Sequence, residues 1–273
     1  MYEEPYRWVE AVGNRRQYLD DQFRQGSPLV AASYVDGIVL VTTSHGTPKL
    51  YEIYDRIGLG GMGHPADLEK LRFSILDMAH VEGFQRSPAD VTGSRLIKYG
   101  LAPAIKQAFE EIFKAPYITK LLLAELGTLP NQDRFFTVNY DGTFEEHTEL
   151  AVLGASPPIQ DAMLSYLKNH VTPAISTLQT VLDVAVRAWT VGSLSQNHDN
   201  ENPEPSSAEH ADTETPPDSF SDEQILEHLK TVLTEKTLEC AVLERHVPGS
   251  SKYRALGQHE LQSLLPMLSQ APS

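Results

Sequence analysis

A single cysteine, Cys240, stands in 273 residues, so no internal disulfide framework is available and the chain suits a reducing compartment. It lies in TLECAVLE, where a buried strand thiol is the expected role. Nowhere do about 18 apolar residues run together, which leaves no candidate transmembrane helix. The start, MYEEPYRWVEAVGNRR, lacks the basic opening and apolar block of a secretory signal, and a cytoplasmic location is expected. Basic residues are scarce, 22 Lys and Arg against 37 Asp and Glu, for a formal net charge of -15. That balance disfavours nucleic acid and anionic membrane as partners, because phosphate binding needs a Lys/Arg surface. H-E-x-x-H, the G-x-S-x-G elbow and the P-loop are all missing, the ten histidines are scattered, and Cys240 has no metal partner close in sequence. Neither a metal site nor a cofactor is therefore expected.

What is present reads as an ordinary globular chain, 41% hydrophobic and 22% charged. Residues 5–25 carry Trp8, Val12, Leu19 and Phe23 on one helical face, and Gly26-Ser27-Pro28 ends that helix. LVAASY and IVLVTT, joined around Asp36-Gly37, predict a hairpin, and KLYEIYDRIGLGGM supplies two more strands of what reads as an antiparallel meander. Pro65 opens a helix to about Phe84, and Ser87-Pro88 a second to about Phe113. YITKLLLAEL, RFFTVNYDGTF and ELAVLG are strands, with a turn at Asp141-Gly142, and PPIQDAMLSYL and AISTLQTVLDVAVRAW are helices. Strands, two helices, strands, two helices is a segregated order. It predicts an α+β fold, a four-layer αββα sandwich of two antiparallel sheets between helix pairs.

Residues 193–220 are rich in Ser, Asn, Glu and Pro with almost nothing to bury, and are expected to be a disordered acidic insertion. Ser221 with Gln224 then forms a capping box before DEQILEHLKTVL, after which TLECAVLE and SKYRAL resume strand character and HELQSLLPML closes with a helix. The insertion reads either as a solvated excursion or as a partner-binding arm that steers basic partners. In domain terms, residues 1–26 form an N-terminal segment and helix, and 27–273 a single domain carrying the insertion.

GLGGMG, Gly58 to Gly63, matches G-x-G-x-x-G between a strand and a helix, the local context of a dinucleotide fingerprint. A second helix follows instead of a parallel strand ending in an acid, so close packing of a helix on a sheet is the simpler account of these glycines.

The ordered strings KLYEIYDRIGLGGMGHPADLEKLR, DVTGSRLI, LLLAELG, RFFTVNYDGTFEE, AVLG before a Pro-helix and TLECAVLE resemble proteasome subunits, in particular the α-type subunit of the bacterial 20S proteasomes of actinobacteria. The resemblance spans roughly residues 15–190 and 236–266. It implies the N-terminal-nucleophile hydrolase fold, in which catalytic β-type members expose a Thr after cleavage of a Gly-Thr bond, with the freed amine as base. On this chain Ser27 falls at the nucleophile position, Lys49 at the lysine and Gly63 at the oxyanion glycine. Thr43 stands where catalytic members carry an Asp beside the lysine, and TVGSLSQNHDNENPEP replaces their Ser, Asp and Gly-Gly loop.

Two readings follow from the resemblance. In the first the chain is a non-catalytic α-type subunit that keeps its leading helix. Its partners would be other α-type subunits in a seven-membered ring, catalytic β-type subunits, an ATPase or other activator ring, and the protein substrates passing through. Lys49 would then hold the C-terminal carboxylate of an activator, a task suited to a compact ammonium in a partly desolvated cleft, unless it is simply a surface lysine. Residues 1 to about 8, with Tyr2, Glu3, Glu4, Tyr6 and Trp8, would form the gate. In the second reading the chain is a self-processed hydrolase that uses Ser27, Lys49 and Gly63. Retention or loss of residues 1–26 separates the two.

Overall fold

The computed structural model describes residues 4–111, 113–201 and 220–267. Among the described residues, ten strands form two five-stranded sheets in which every pairing is antiparallel. The first contains β1 (Leu29–Tyr34), β2 (Gly37–Ser44), β8 (Leu150–Leu153), β9 (Thr237–Glu244) and β10 (Tyr253–Ala255), in the order β10-β9-β2-β1-β8. The second is a meander of β3 (Leu50–Tyr54), β4 (Ile57–Gly63), β5 (Thr119–Glu125), β6 (Arg134–Val138) and β7 (Phe144–His147). The single early meander read from sequence is therefore divided: β1 and β2 belong to one sheet and β3 and β4 to the other. The link 45–49 between β2 and β3 carries the chain across the sandwich.

The faces follow from alternation. Along β5, Leu122 and Ala124 join the core between the sheets, whereas Leu121 and Leu123 join a second core under the helices on the far side. A strand buried on both faces reads as a continuous apolar run, and KLLLA is one. The second core is covered by α2 (Pro65–Gln85), α3 (Gly93–Leu96) and α4 (Ala102–Glu110). On the first sheet lie α5 (Pro157–His170) and α6 (Leu178–Glu201), with α7 (Asp222–Leu233) and α8 (Gln258–Leu264) packed against α6. Helix, sheet, sheet, helix is the four-layer αββα sandwich. At one end a buried pair, Arg245 after β9 and Asp133 before β6, ties the two sheets together through two contacts of 3.1 Å.

The glycines of GLGGMG serve that packing. A Cβ on Gly60 would lie 2.3 Å from Leu29 of the facing sheet, and one on Gly61 would lie 2.3 Å from Leu68 of α2.

Two boundaries differ from the sequence reading. Ser87-Pro88 opens only a short 3-10 turn, Pro88–Asp90, and the next helix begins at Gly93. There the buried Glu125 carboxylate accepts the Gly93 N–H at 2.8 Å, a helix-start partner supplied from a distant strand. A π-helical turn, Ile97–Leu101, joins α3 to α4 just before Pro103, whose ring cannot continue a regular hydrogen-bond ladder. The second difference concerns the acidic stretch. Disorder expected from residue 193 is corrected for 193–201, which continue α6: Leu194 packs on the core, Gln196 is buried, and Ser193 Oγ lies 2.9 Å from His228 Nε2 of α7. Residues 202–219 lie outside the described residues.

Candidate functional site

The nucleophile-position serine sits where α1 (Glu4–Phe23) hands over to β1. Ser27 is buried, and its hydroxyl bonds Thr43 Oγ1 at 2.6 Å. The carbonyl of Pro28 accepts from Thr42 Oγ1 at 2.7 Å and from Trp189 Nε1 at 2.9 Å. One step earlier, Gln196 Nε2 donates to the carbonyls of Arg24, at 2.5 Å, and Gly26, at 2.9 Å. The junction is thus stitched to β2 and α6, and Gln196, in the part of α6 that the sequence reading assigned to the insertion, supplies one of the stitches.

Lys49 and Gly63 come to the same end. The amide of Gly61 bonds the Lys49 carbonyl at 3.1 Å, and a Cβ on Gly26 would meet the Met62 methyl. Gly63 takes φ 132°, and a Cβ there would lie 2.0 Å from the Ile118 carbonyl oxygen, so only glycine fits that backbone. The Lys49 side chain is half-buried. Desolvation, then the neighbouring Lys236 charge, pull its pKa down to about 8 against an opposing pull from Glu239. The Glu239 carboxylate is engaged by the backbone N–H groups of Lys49, at 2.9 and 3.1 Å, and Leu50, at 2.8 Å. Among the described residues the Lys49 ammonium has no hydrogen-bond or ion-pair partner. Thr43 stands beside Ser27, with its neutral hydroxyl where an acid would have charged the lysine's surroundings.

The end of α1 is built into the body. Leu19 and Phe23 are fully buried, Phe23 stacks on Tyr140 with centroids 5.8 Å apart, and the Tyr140 hydroxyl donates to Asp20 at 2.8 Å. Arg15 donates to the carbonyls of Ala108, Phe109, Glu111 and Lys114 at the end of α4. None of these polar ties was legible in the sequence, since donors aimed at distant backbone carbonyls leave no pattern. The apolar stripe is buried only in its second half: Val12 is partly covered, while Trp8 and Val9 are exposed. Of the gate residues, Tyr2 and Glu3 lie outside the described residues, and Glu4, Tyr6 and Trp8 fall in the first two turns of α1.

Beneath α1 a groove of about 870 Å³ is lined by Asp20, Lys120, Tyr140, His147 and Gln160, among others. Lys120 is buried on β5, its ammonium donating to the carbonyls of Gly154 at 3.0 Å and Ala155 at 2.8 Å and lying 4.9 Å from the Phe23 ring centroid. Burial brings its pKa down to about 8, opposed by Asp20. A depressed lysine is protonated more readily in the unfolded chain, so stability rises with pH between about 8 and the ordinary lysine value. Urea unfolding should show this rise from pH 8 to 10. In Lys120→Met the slope should fall by up to about 1.4 kcal/mol per pH unit, the remaining slope coming from groups such as Lys49; an unchanged slope would contradict the assignment.

No three His, Cys, Asp or Glu residues gather as a metal site among the described residues. No described helix is long and apolar enough to cross a membrane.

Two facing antiparallel sheets between helix layers, with Ser27, Lys49 and Gly63 at one end and the leading helix α1 lying against that end, define an N-terminal-nucleophile hydrolase fold in its proteasome α-type form. No family model matches the chain. Among curated proteins it is similar to the proteasome subunit alpha of Actinosynnema mirum, 30% identical over 188 residues that cover 68% of this chain and 69% of that protein. The proteasome subunit alpha of Streptomyces scabiei is 33% identical over 186 residues, covering 66% and 71% respectively. That of Geodermatophilus obscurus is 26% identical over 250 residues, covering 91% and 76%. The chain belongs to the proteasome subunit alpha family.

Proposed function

We propose that this chain is a non-catalytic α-type subunit of a 20S proteasome core. It assembles into a seven-membered ring that stacks on a catalytic β-type ring and controls admission of protein substrates for ATP-dependent degradation in the cytoplasm. The observation that carries the reading is the integration of α1: Leu19 and Phe23 are part of the core, and Gln196 holds the carbonyls on either side of Gln25. Cleavage before Ser27 would strip a helix from the fold, and the serine hydroxyl already has Thr43 as its partner.

Residues 1–26 are read as gate segment and helix, and 27–273 as one domain with an acidic insertion. Tyr2, Glu3, Glu4, Tyr6 and Trp8 form the gate, with exposed Trp8 and Val9 continuing it along α1. Lys49 receives an activator's terminal carboxylate, a role supported by its half-buried, unneutralised ammonium. Exposed Phe73, Val81 and Phe84 on α2 support a face that is covered on assembly.

Co-expression with the catalytic β-type chain of the same genome is the test. Negative-stain images should show seven-fold end views, and the intact mass of this chain should include residues 1–26. Persistent monomers and dimers would defeat the ring, and a mass beginning at Ser27 would make the chain a self-processed hydrolase.

A further inference from the structure

The Lys49 ammonium is not the only unneutralised cation at this end of the sandwich. Lys236 lies in the short link between α7 and β9, one residue before Thr237, which pairs with Ser44 at the end of β2. Three residues further on, Glu239 binds the Lys49 and Leu50 amides, so the β9 start and the β3 start are pinned together with a lysine on each side. No acid pairs with Lys236 among the described residues, and its charge lowers the pKa of both Lys49 and His228.

Lys236 also lines a cleft of about 220 Å³ whose walls include Gly26, Ser27, Trp189, Ser193 and Gln196. Gln196 is 7% exposed; its Nε2 is spent on two carbonyls, and its Oε1 has no donor among the described residues. A buried acceptor without a donor calls for a ligand or water N–H or O–H. The cleft thus offers a cation, with an unsatisfied acceptor belonging to a residue of its wall, the complement of a peptide's last residue with its carboxylate and its amide N–H.

We infer that Lys236 is a second binding lysine of the Lys49 site, and that the cleft it lines receives the terminal residue of the docking chain. The inference rests on the assignment of Lys49 to a partner's carboxylate and extends it to a residue to which the resemblance assigns no role. Two like charges sharing a site repel until an anion arrives, so the anion is held by both ammoniums and binding is coupled to protonation. The charged groups around Lys49 are Lys236 and Glu239; around Lys236 they are Lys49, His228 of α7 and, across the cleft, Arg24 of the α1 exit.

The experiment uses the assembled ring and a synthetic hexapeptide matching the C-terminus of the ATPase encoded in the same genome, as free acid and as amide, with affinity followed by fluorescence anisotropy from pH 6.5 to 9.5. The free acid should bind and the amide should not. Its affinity should hold at low pH and decline above about pH 8, where Lys49 loses its proton. Lys236→Ala should weaken binding at pH 7 at least about tenfold and move the onset of the decline to higher pH, because the charge that depresses Lys49 is gone. Lys236→Arg should restore most of the affinity. A neighbour that only depresses Lys49 would move the pH onset without weakening binding at pH 7, and a merely structural role would weaken binding without moving the onset; either result overturns the inference. If Lys236→Ala leaves both affinity and onset unchanged while Lys49→Ala abolishes binding, this inference falls and the Lys49 assignment stands. If neither substitution changes binding, both fall.

Discussion

Phe23→Ala should destabilise the chain by about 3–5 kcal/mol, in the range of large aromatic truncations in cores, measured by urea unfolding at pH 7. The ring is fully buried, sandwiched between Tyr140 and the Lys120 ammonium, and it sits in the last turn of α1. Truncation leaves a cavity and removes a cation–π contact, while the Lys120 ammonium keeps its two carbonyl partners. The loss should be accompanied by rapid proteolysis within residues 4–26, since α1 would lose the side chain that seats its end. Phe84→Ala is the matched control. Phe84 is 92% exposed on α2, and its truncation should move stability by less than about 0.5 kcal/mol. Near-equal effects of the two changes would mean that α1 lies on the surface of the fold instead of forming part of it.

Lys49→Ala should leave ring assembly and basal peptide hydrolysis intact and reduce activator-stimulated protein degradation by more than tenfold, about the worth of one charge-assisted contact or more. Folding should be unaffected. The contacts that Lys49 makes to Glu239 and Gly61 use its backbone N–H and C=O, and an alanine keeps both. Removing a desolvated ammonium should even raise stability slightly at neutral pH, because its depressed pKa marks a folded state that disfavours the charge. Normal stimulation in the variant would remove Lys49 from the docking role.

The fold was largely readable because the strands and helices occur in segregated blocks and because the central strand is apolar on both faces. Register and partition were not. Asp36-Gly37 correctly marks a hairpin, yet the turn residues are Val35 and Asp36, with Tyr34 paired to Gly37. Gly37 is needed because a Cβ would lie 2.0 Å from the Leu243 carbonyl oxygen of the neighbouring strand, a constraint that no local pattern contains. The length of α6 was misjudged for a similar reason: Gln196 earns its place in a helix through two carbonyls about 170 residues away, and composition alone makes its surroundings look unstructured.

At the site, Ser27, Lys49 and Gly63 could be placed together through the resemblance, because Lys49 and Gly63 lie in a string that carries it and Ser27 falls within its span. Lys236 and Gln196 could not. Both stand outside those strings, and only the folded chain brings them to the Ser27 cleft. Asp20, Tyr140 and Arg15 were likewise invisible, since their partners come from the far side of the sequence.

The His198 ring near the end of α6 and the Phe220 ring where the described chain resumes are 5.6 Å apart. The described residues on the two sides of 202–219 thus stand close together, and closing a loop between such fixed posts costs only about 0.6 kcal/mol more for each doubling of its length. Lineages could lengthen, shorten or rewrite this stretch with little penalty to the sandwich, which makes it a natural place for related chains to diverge in size.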